Sequence, residues 1–596
     1  MYHTLRDSTF GQVARLVLPT STSHKLFAYP EEKPDYVLPP RYQTSGHVTP
    51  ASSLRSETAT VVERDLDAAL APAQTYPKQR PIVEEGAEGW AGEAVGEPES
   101  VDWYDDQDPE NPQNWSFRKR MFVTVQIMLL TFSIYAGSSI YTPSIPGLME
   151  EYNSSLVVAT LGLSLFVAFY GLGPAILVPM QELPSLGRTP VYITSLFLFG
   201  LFTLTSAVAQ NMATVLVSRA LAGFFGSPAL STGGATLADM WPKKKLAYVI
   251  GAWSMGAVLG PILAPTIGGY SAMYLGWRWP LWLLFFVTCA TWIALFFLLP
   301  ETLHSNILYK RAARLRALTG RQDIKSHGQR EQEGVSFGQL MKNSLIRPLQ
   351  LMTDPAPLFL SVYLGLCYGL FYLFFESFPL VFGDIYHFNA GQQGLAFMGY
   401  FVTGGAAYAG YCAYQVYVIN PLYDGDKEPE AEVRLDLALY VSILIPISTF
   451  FFGWVSRPEV HWIVPIIAAS LYLPGIFLLF QSIIMYLTTS YYVYPGSILA
   501  ANAFIRSVIA AAFPLIGHPL YVNLGLGPGS SLLGGLSILM ILPLFLIRRY
   551  GKILRSKSKY APVEPQTVAK NDTIDSVATG KTGYASTVKT EPTEVV

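Results

Sequence analysis

Three charged residues fall deep inside long apolar stretches of this sequence, and each is of a type that can do chemistry there. Glu376 lies in an aromatic run, LFFESFP (373–379). A carboxyl group taken out of water can cycle between protonated and ionised forms. That suits it to couple proton uptake to another event, although a neutral, hydrogen-bonded helix contact would use the same residue. Arg219, in SRALAGFFGS (218–227), is a permanent cation. Placing it in a bilayer costs about 2.5–3.5 kcal/mol on insertion scales, so it must face a partner or a water-filled cavity. An ion pair or a carbonyl clamp would satisfy it equally. Arg506 has two open readings, holding a substrate or pairing with Glu376. Beside Glu376, Tyr372 and Phe375 are candidates for the wall of a pocket that takes flat apolar compounds. A second group sits at the ends of the apolar stretches: Glu182, Gly187 and Arg188, with Asp239 about fifty residues on. Opposite charges there can latch a bundle shut, and Arg188 is expected to pair with Asp239.

Other chemistries lack their residues. The 596-residue chain is 51% apolar and 14% charged, where a soluble protein carries about 25% charged residues. Its mean hydropathy of +0.32 excludes an ordinary soluble enzyme. A net charge of -2 offers nucleic acid no basic field. Cys289, Cys367 and Cys412 are far apart in apolar runs, so neither a disulfide framework nor a zinc site is expected. The eight histidines have no metal spacing, so no metal is expected. No serine nucleophile sits on a recognisable elbow. Gly580-Lys581-Thr582 imitates the end of a phosphate loop, but Asp575 stands where that loop needs glycine. No cofactor is expected.

The elements that must position these residues are membrane helices. A span needs about 20 apolar residues, and twelve such runs are legible: 121–142, 156–180, 190–209, 213–238, 246–270, 278–299, 357–383, 392–416, 437–455, 462–487, 494–517 and 529–547. Residues 1–118 read as a disordered acidic tail, with eleven acidic and no basic residues between Glu84 and Glu110. The division is then a six-helix half over 119–300, a central loop over 301–354, a second six-helix half over 355–548 and a tail over 549–596. Basic residues crowd one set of connections: Arg118 to Arg120, Lys243 to Lys245, nine Lys/Arg in 301–354, and six in 548–559. The positive-inside rule puts these, and both termini, in the cytoplasm. The loop around Lys310 reads either as an amphipathic helix on the inner leaflet or as a solvated determinant of topology.

The motifs carry a family resemblance. Glu182…Gly187-Arg188, Arg219…Gly223…Gly226 and Gly256…Gly260-Pro261…Pro265…Gly268-Gly269 resemble motifs A, B and C of the major facilitator superfamily, the third marking its antiporters. The segments 26–42, 108–115, LADM (237–240), LFFESFP and IRSVIAAAFPLIG (505–517) are similar to the fungal twelve-span drug:H+ antiporters, nearest to the fluconazole and benomyl resistance exporters of yeasts. The similarity runs from the N-terminal tail to about Tyr560. It departs at Pro179 and Glu182, where the superfamily has Gly and Asp. The resemblance implies an all-α membrane fold of two six-helix halves. It also implies that Arg219 tunes protonation and substrate binding, and that the motif A acid sits at a helix N-terminus of the other half, where the helix dipole favours it. Motif C glycines let helices approach closely; the expected role is either a dry hinge between the halves that blocks proton leak or plain tight packing, which would use the same residues. The implied activity is export of varied apolar or aromatic toxins across the plasma membrane, driven by a proton gradient, by a monomer whose partners are drugs, protons and lipid. Two alternatives use the same bundle: a dedicated exporter of a self-made metabolite, and a non-transporting nutrient sensor, against which motif C argues.

Overall fold

The computed structural model describes residues 2–17, 27–33, 36, 38, 39, 42, 100–333, 337–423, 429–491 and 495–561. Among these residues the only β-pairing is two isolated bridges. Ten helices are each long and apolar enough to cross a membrane, and an eleventh is a pair broken at Gly173-Pro174. The eighth expected run is delivered as Ala390–Ala396, Met398–Tyr414 and a π-helical turn, Gln415–Ile419.

Two short N-terminal helices, α1 (Tyr2–Asp7) and α2 (Thr9–Val17), precede the bundle. The first half contains α3 (Phe117–Ser139), α4 (Leu156–Leu172 with Pro174–Gln181), α5 (Arg188–Ala207), α6 (Met212–Met240), α7 (Lys243–Leu275) and α8 (Trp279–Leu298). After the connecting helix α9 (His304–Thr319) come α10 (Pro355–Phe378), α11 (Met398–Tyr414), α12 (Ala431–Val455), α13 (Ile463–Ser490), α14 (Pro495–Leu524) and α15 (Leu526–Lys557). Local chemistry sets several starts. The side chains of Ser116, Ser155 and Asn211 accept from the backbone of the first turns of α3, α4 and α6. Outward-facing positions such as Phe286, Ile293, Leu539 and Phe545 are large and apolar, as lipid contact requires.

The halves repeat their packing. α3 lies on α7 as α10 lies on α14, α5 on α8 as α12 on α15, and α4 on α6 as α11 on α13. The halves meet through α4 against α14 and α7 against α11, two contacts that the same repeat interchanges. A site between such repeats lies near the bilayer midplane.

The expectation of a disordered tail over 1–118 does not hold for its described residues. Much of the acidic run and the rest of that stretch lie outside them, as does Gly580-Lys581-Thr582. Residues 27–33 and 100–115 pack on α9, and residues 2–17 lie on the end of α8 and on residues 27–32, at the end of the bundle that carries the basic connections. Arg311 of α9 donates to Asp108 Oδ2 at 2.6 Å and lies 3.2 Å from Glu110 Oε2. Arg314 reaches Glu31 at 2.5 Å and Glu110 at 2.9 Å. Tyr29 lies under three guanidinium groups, those of Arg6, Arg15 and Arg314. Burial pushes Glu110 above the ordinary carboxylate range against the pull of Arg314 and Arg311. Burial acts on Asp108 in the same direction, but the hydrogen bonds and charge of Arg311, together with the backbone N–H groups of Tyr104 and Glu110, outweigh it and hold that carboxyl low. The α9 helix is therefore neither a solvated loop nor a bare amphipathic surface helix, because these arginines are taken up by the N-terminal segments.

This cluster yields a stability prediction. Removing one member of a buried pair typically costs about 3–5 kcal/mol, because a charge is left buried alone. An exposed pair such as Arg321–Asp323 is worth about 0–1 kcal/mol. Thermal unfolding of the detergent-purified full chain should show a large loss in Arg311→Ala and little change in Arg321→Ala. Equal small shifts would contradict the cluster's role.

Candidate functional site

At the basic end, Gly187 turns the chain into α5 with φ +82°, a conformation that favours glycine. Arg188 follows. Its Nε lies 3.3 Å from Asp239 Oδ2, and its Nη1 points to the Thr232 carbonyl and the Thr236 hydroxyl at 3.4 Å. Glu182 sits across the boundary between the halves. A methyl group placed on Gly496, in the first turn of α14, would lie 2.7 Å from Glu182 Oε1. Burial raises the Glu182 carboxyl, with Arg188 opposing.

Glu301 was missed by sequence reasoning, and it organises this end. Its carboxylate accepts from the backbone N–H groups of Arg188 and Thr189 at 3.1 Å, and of Thr302 and Leu303 at 3.0 Å. It thus caps α5 and turns the chain toward α9. The signal was an acid directly after the sixth apolar run, in Pro300-Glu301-Thr302. From α9, Asn306 donates to the Pro184 carbonyl at 2.7 Å. His304 Nε2 lies 3.1 Å from the Asp239 carbonyl. Burial lowers the His304 pKa, which favours a neutral ring that donates to this carbonyl. The ion pair, the motif A turn and the docked N-terminal segments are therefore one connected structure.

Arg219 is enclosed without a carboxylate partner. Its Nη1 donates to the Gly137 carbonyl at 2.7 Å and its Nε to the Gly162 carbonyl at 3.1 Å. The rings of Tyr141 and Phe166 cover the guanidinium at 4.7 and 4.4 Å. These bonds tie α6 to α3 and α4 by a carbonyl clamp.

Glu376 is buried in α10, and its Oε1 has no hydrogen-bond partner. The side chain runs over Gly517 of α14. It lines a cavity of about 360 Å³ toward the far end of the bundle, together with Pro265, Phe375, Asp384, Gln393 and His518. Asp384 and His518 were not singled out in the sequence, because both lie where the apolar signal ends.

Arg506 lies elsewhere. It stands eleven residues into α14, about 16 Å from its start at about 1.5 Å per residue. It borders a cavity of about 340 Å³ that reaches Arg188 and Asp239. It also borders a smaller one of about 80 Å³ walled by Tyr135, Phe371 and Phe477. The guanidinium lies 4.8 Å from the Tyr368 ring and 4.9 Å from Phe480. Arg506 is thus not paired with Glu376. Tyr372 is not among the residues lining these three cavities; its hydroxyl meets that of Tyr368 at 3.2 Å.

Motif C follows α7 on two sides. A methyl group on Gly260 would lie 2.8 Å from the Ala136 nitrogen of α3, and one on Gly256 would meet Met128. Gly268 faces Ile140 and Pro143, also in the first half. Only at Gly269 does the glycine stripe reach the second half, where a methyl group would lie 2.3 Å from the Ala390 carbonyl. The expected hinge between halves is therefore mostly a close contact within one half. The helix continues unbroken through Pro261 and Pro265, which line the small cavity beside Arg506 and the Glu376 cavity respectively.

The family model described as Major Facilitator Superfamily matches residues 127–514. The chain belongs to the major facilitator superfamily. Fluconazole resistance protein 1 of Saccharomyces cerevisiae is 42% identical over 78% of this chain and 85% of its own. The cycloheximide resistance protein of Candida maltosa is 36% identical over 94% of this chain and 99% of its own. Among solved structures, the proton:xylose symporter XylE has a similar fold, with TM-score 0.51 and 14% identity over 73% of this facilitator and 97% of its own chain.

The cap makes a prediction for this facilitator. Glu301→Ala removes the acceptor of four backbone N–H groups, and each buried donor left unsatisfied costs about 1–3 kcal/mol. Thermal unfolding should register a clear loss, and protease should cut faster between Pro184 and Arg188. Unchanged stability and unchanged cleavage would contradict the cap.

Proposed function

We propose that this facilitator exports varied apolar or aromatic toxic compounds from the cell in exchange for protons. Glu376 is the residue that carries the proton. The observation that carries the reading is a buried carboxylate with no cation paired to it among the described residues, lining a cavity between the halves. A carboxylate neutralised by a fixed cation would have no reason to exchange its proton, whereas this one can. The drug class is supported by the resistance relatives, which match this chain over most of their length.

The protein works in the plasma membrane with both termini cytoplasmic, the orientation supported by the basic connections. Arg188, Asp239 and Glu182 form the cytoplasmic latch around the Gly187 turn. Arg219 holds α3, α4 and α6 in register so that the first half moves as one body. The motif C glycines keep α7 tight on α3, and Gly269 seals the outer contact with the second half. Phe375 walls the outer cavity, and Tyr372 supports Tyr368 beside Arg506, where substrate passes. Protonation from outside releases the drug, and drug loading from inside releases the proton, by reciprocal coupling. The energetics suffice. One inward proton gains about 2.3 kcal/mol per 100 mV, while a tenfold gradient of a neutral drug costs about 1.4 kcal/mol.

Yeast lacking its own pumps should accumulate less labelled fluconazole when this chain is expressed. A protonophore should abolish the difference while ATP is held up. Glu376→Gln should reach the cell surface and fail to lower accumulation. Efflux that survives the protonophore, or that persists with the same pH dependence in Glu376→Gln, would refute the proton exchange.

A further inference from the structure

We infer that Arg506 forms an anion subsite, so that the compounds this facilitator handles best are aromatic acids in their ionised form. The inference rests on the reading of the central cavities as the transport path, and it names the substrate class that they select. Each deep charge of the first half is satisfied by the protein. Arg219 has its carbonyls and Arg188 has Asp239. Arg506 has neither. It is 3% exposed, its Nε has no hydrogen-bond partner, and it borders two cavities.

Among the described residues, the surroundings offer it no counter-ion. The smaller cavity is lined by Tyr135, Ser254, Tyr368, Phe371 and other neutral residues. The single acid on the larger cavity is Asp239, which is held by Arg188. Asn502, one turn before Arg506, spends its amide on the Ser361 hydroxyl at 3.0 Å. The rings of Tyr368 and Phe480 cover the guanidinium but carry no formal charge.

A guanidinium stays charged in any protein environment and presents a planar fork that matches a carboxylate or sulfonate. Left in a low-dielectric cavity without a partner, it favours any ligand that brings a negative charge and opposes one that brings a positive charge. The aromatic walls then hold the apolar body of the same molecule. Exporting an anion while importing a proton moves two positive charges' worth of current inward per cycle, so the membrane potential acts twice on each turnover.

The test is equilibrium binding to the detergent-purified full chain of two tritiated probes, 1-naphthaleneacetate and 1-naphthaleneacetamide. They share one body and differ in charge. The wild-type protein should bind the acid about tenfold more tightly than the amide, a difference of about 1.4 kcal/mol. In Arg506→Gln the ratio should fall to about one. Arg506→Lys keeps the charge and should retain a weakened preference for the acid, which decides the matter if the glutamine variant binds neither probe. Equal binding of both probes by the wild type would overturn the subsite. So would an undiminished preference in Arg506→Gln, or its loss in Arg506→Lys while the amide still binds. Binding in detergent needs no gradient, so a failure of proton-driven export and a failure of the anion subsite are read separately.

Discussion

A charge inside an apolar helix bundle must be neutralised by the protein, by water or by a ligand, because the bilayer neutralises nothing. This constraint sorts the deep charges into two kinds. Arg219 and Arg188 are satisfied by fixed partners, and those partners belong to other helices. Each such bond therefore doubles as a joint: Arg219 ties α6 to α3 and α4, and Arg188 ties α5 to α6. Glu376 and Arg506 are the second kind. Among the described residues neither has an ionic partner, and each borders a cavity where the two halves face each other. On the proposed reading, the satisfied charges hold each half together and the chemistry falls to the unsatisfied ones.

The same logic extends beyond the spans. Glu301 caps α5 at the motif A turn and begins the connection to α9. The α9 arginines are in turn taken up by Asp108, Glu110 and Glu31. Backbone of the N-terminal segment also touches this connection, with the Glu301 N–H donating to the Asp7 carbonyl at 3.4 Å. The basic end of the bundle is thus braced by chain lying outside it.

Much of this was legible in the residues. Spans are long and uniformly apolar, so hydropathy finds them even where Gly and Pro interrupt. The eighth was least regular, because its helix is broken near Phe397 and ends in a π-helical turn at Gln415. The Arg188–Asp239 pair was legible because two opposite charges closed adjacent runs at the same end. The docking of the N-terminal segments was not, since Asp108 and Arg311 are separated by about two hundred residues and a solvated acidic tail has the same composition. Nor could the sequence choose between a carboxylate and carbonyls as the partner of Arg219, because every residue carries a carbonyl. The suggested pairing of Arg506 with Glu376 failed for a geometric reason. α10 and α14 run side by side, but the two residues stand at different depths and open into different cavities.

The central claim is that drug and proton exchange at a site served by the unpaired Glu376. The most direct measurement is the proton released when fluconazole is added to the purified full chain in weakly buffered detergent solution. The account predicts a release that saturates with drug. It also predicts that the Glu376→Gln protein binds drug with no release. Saturable drug binding without any proton release, or the same release from the Glu376→Gln protein, would contradict it.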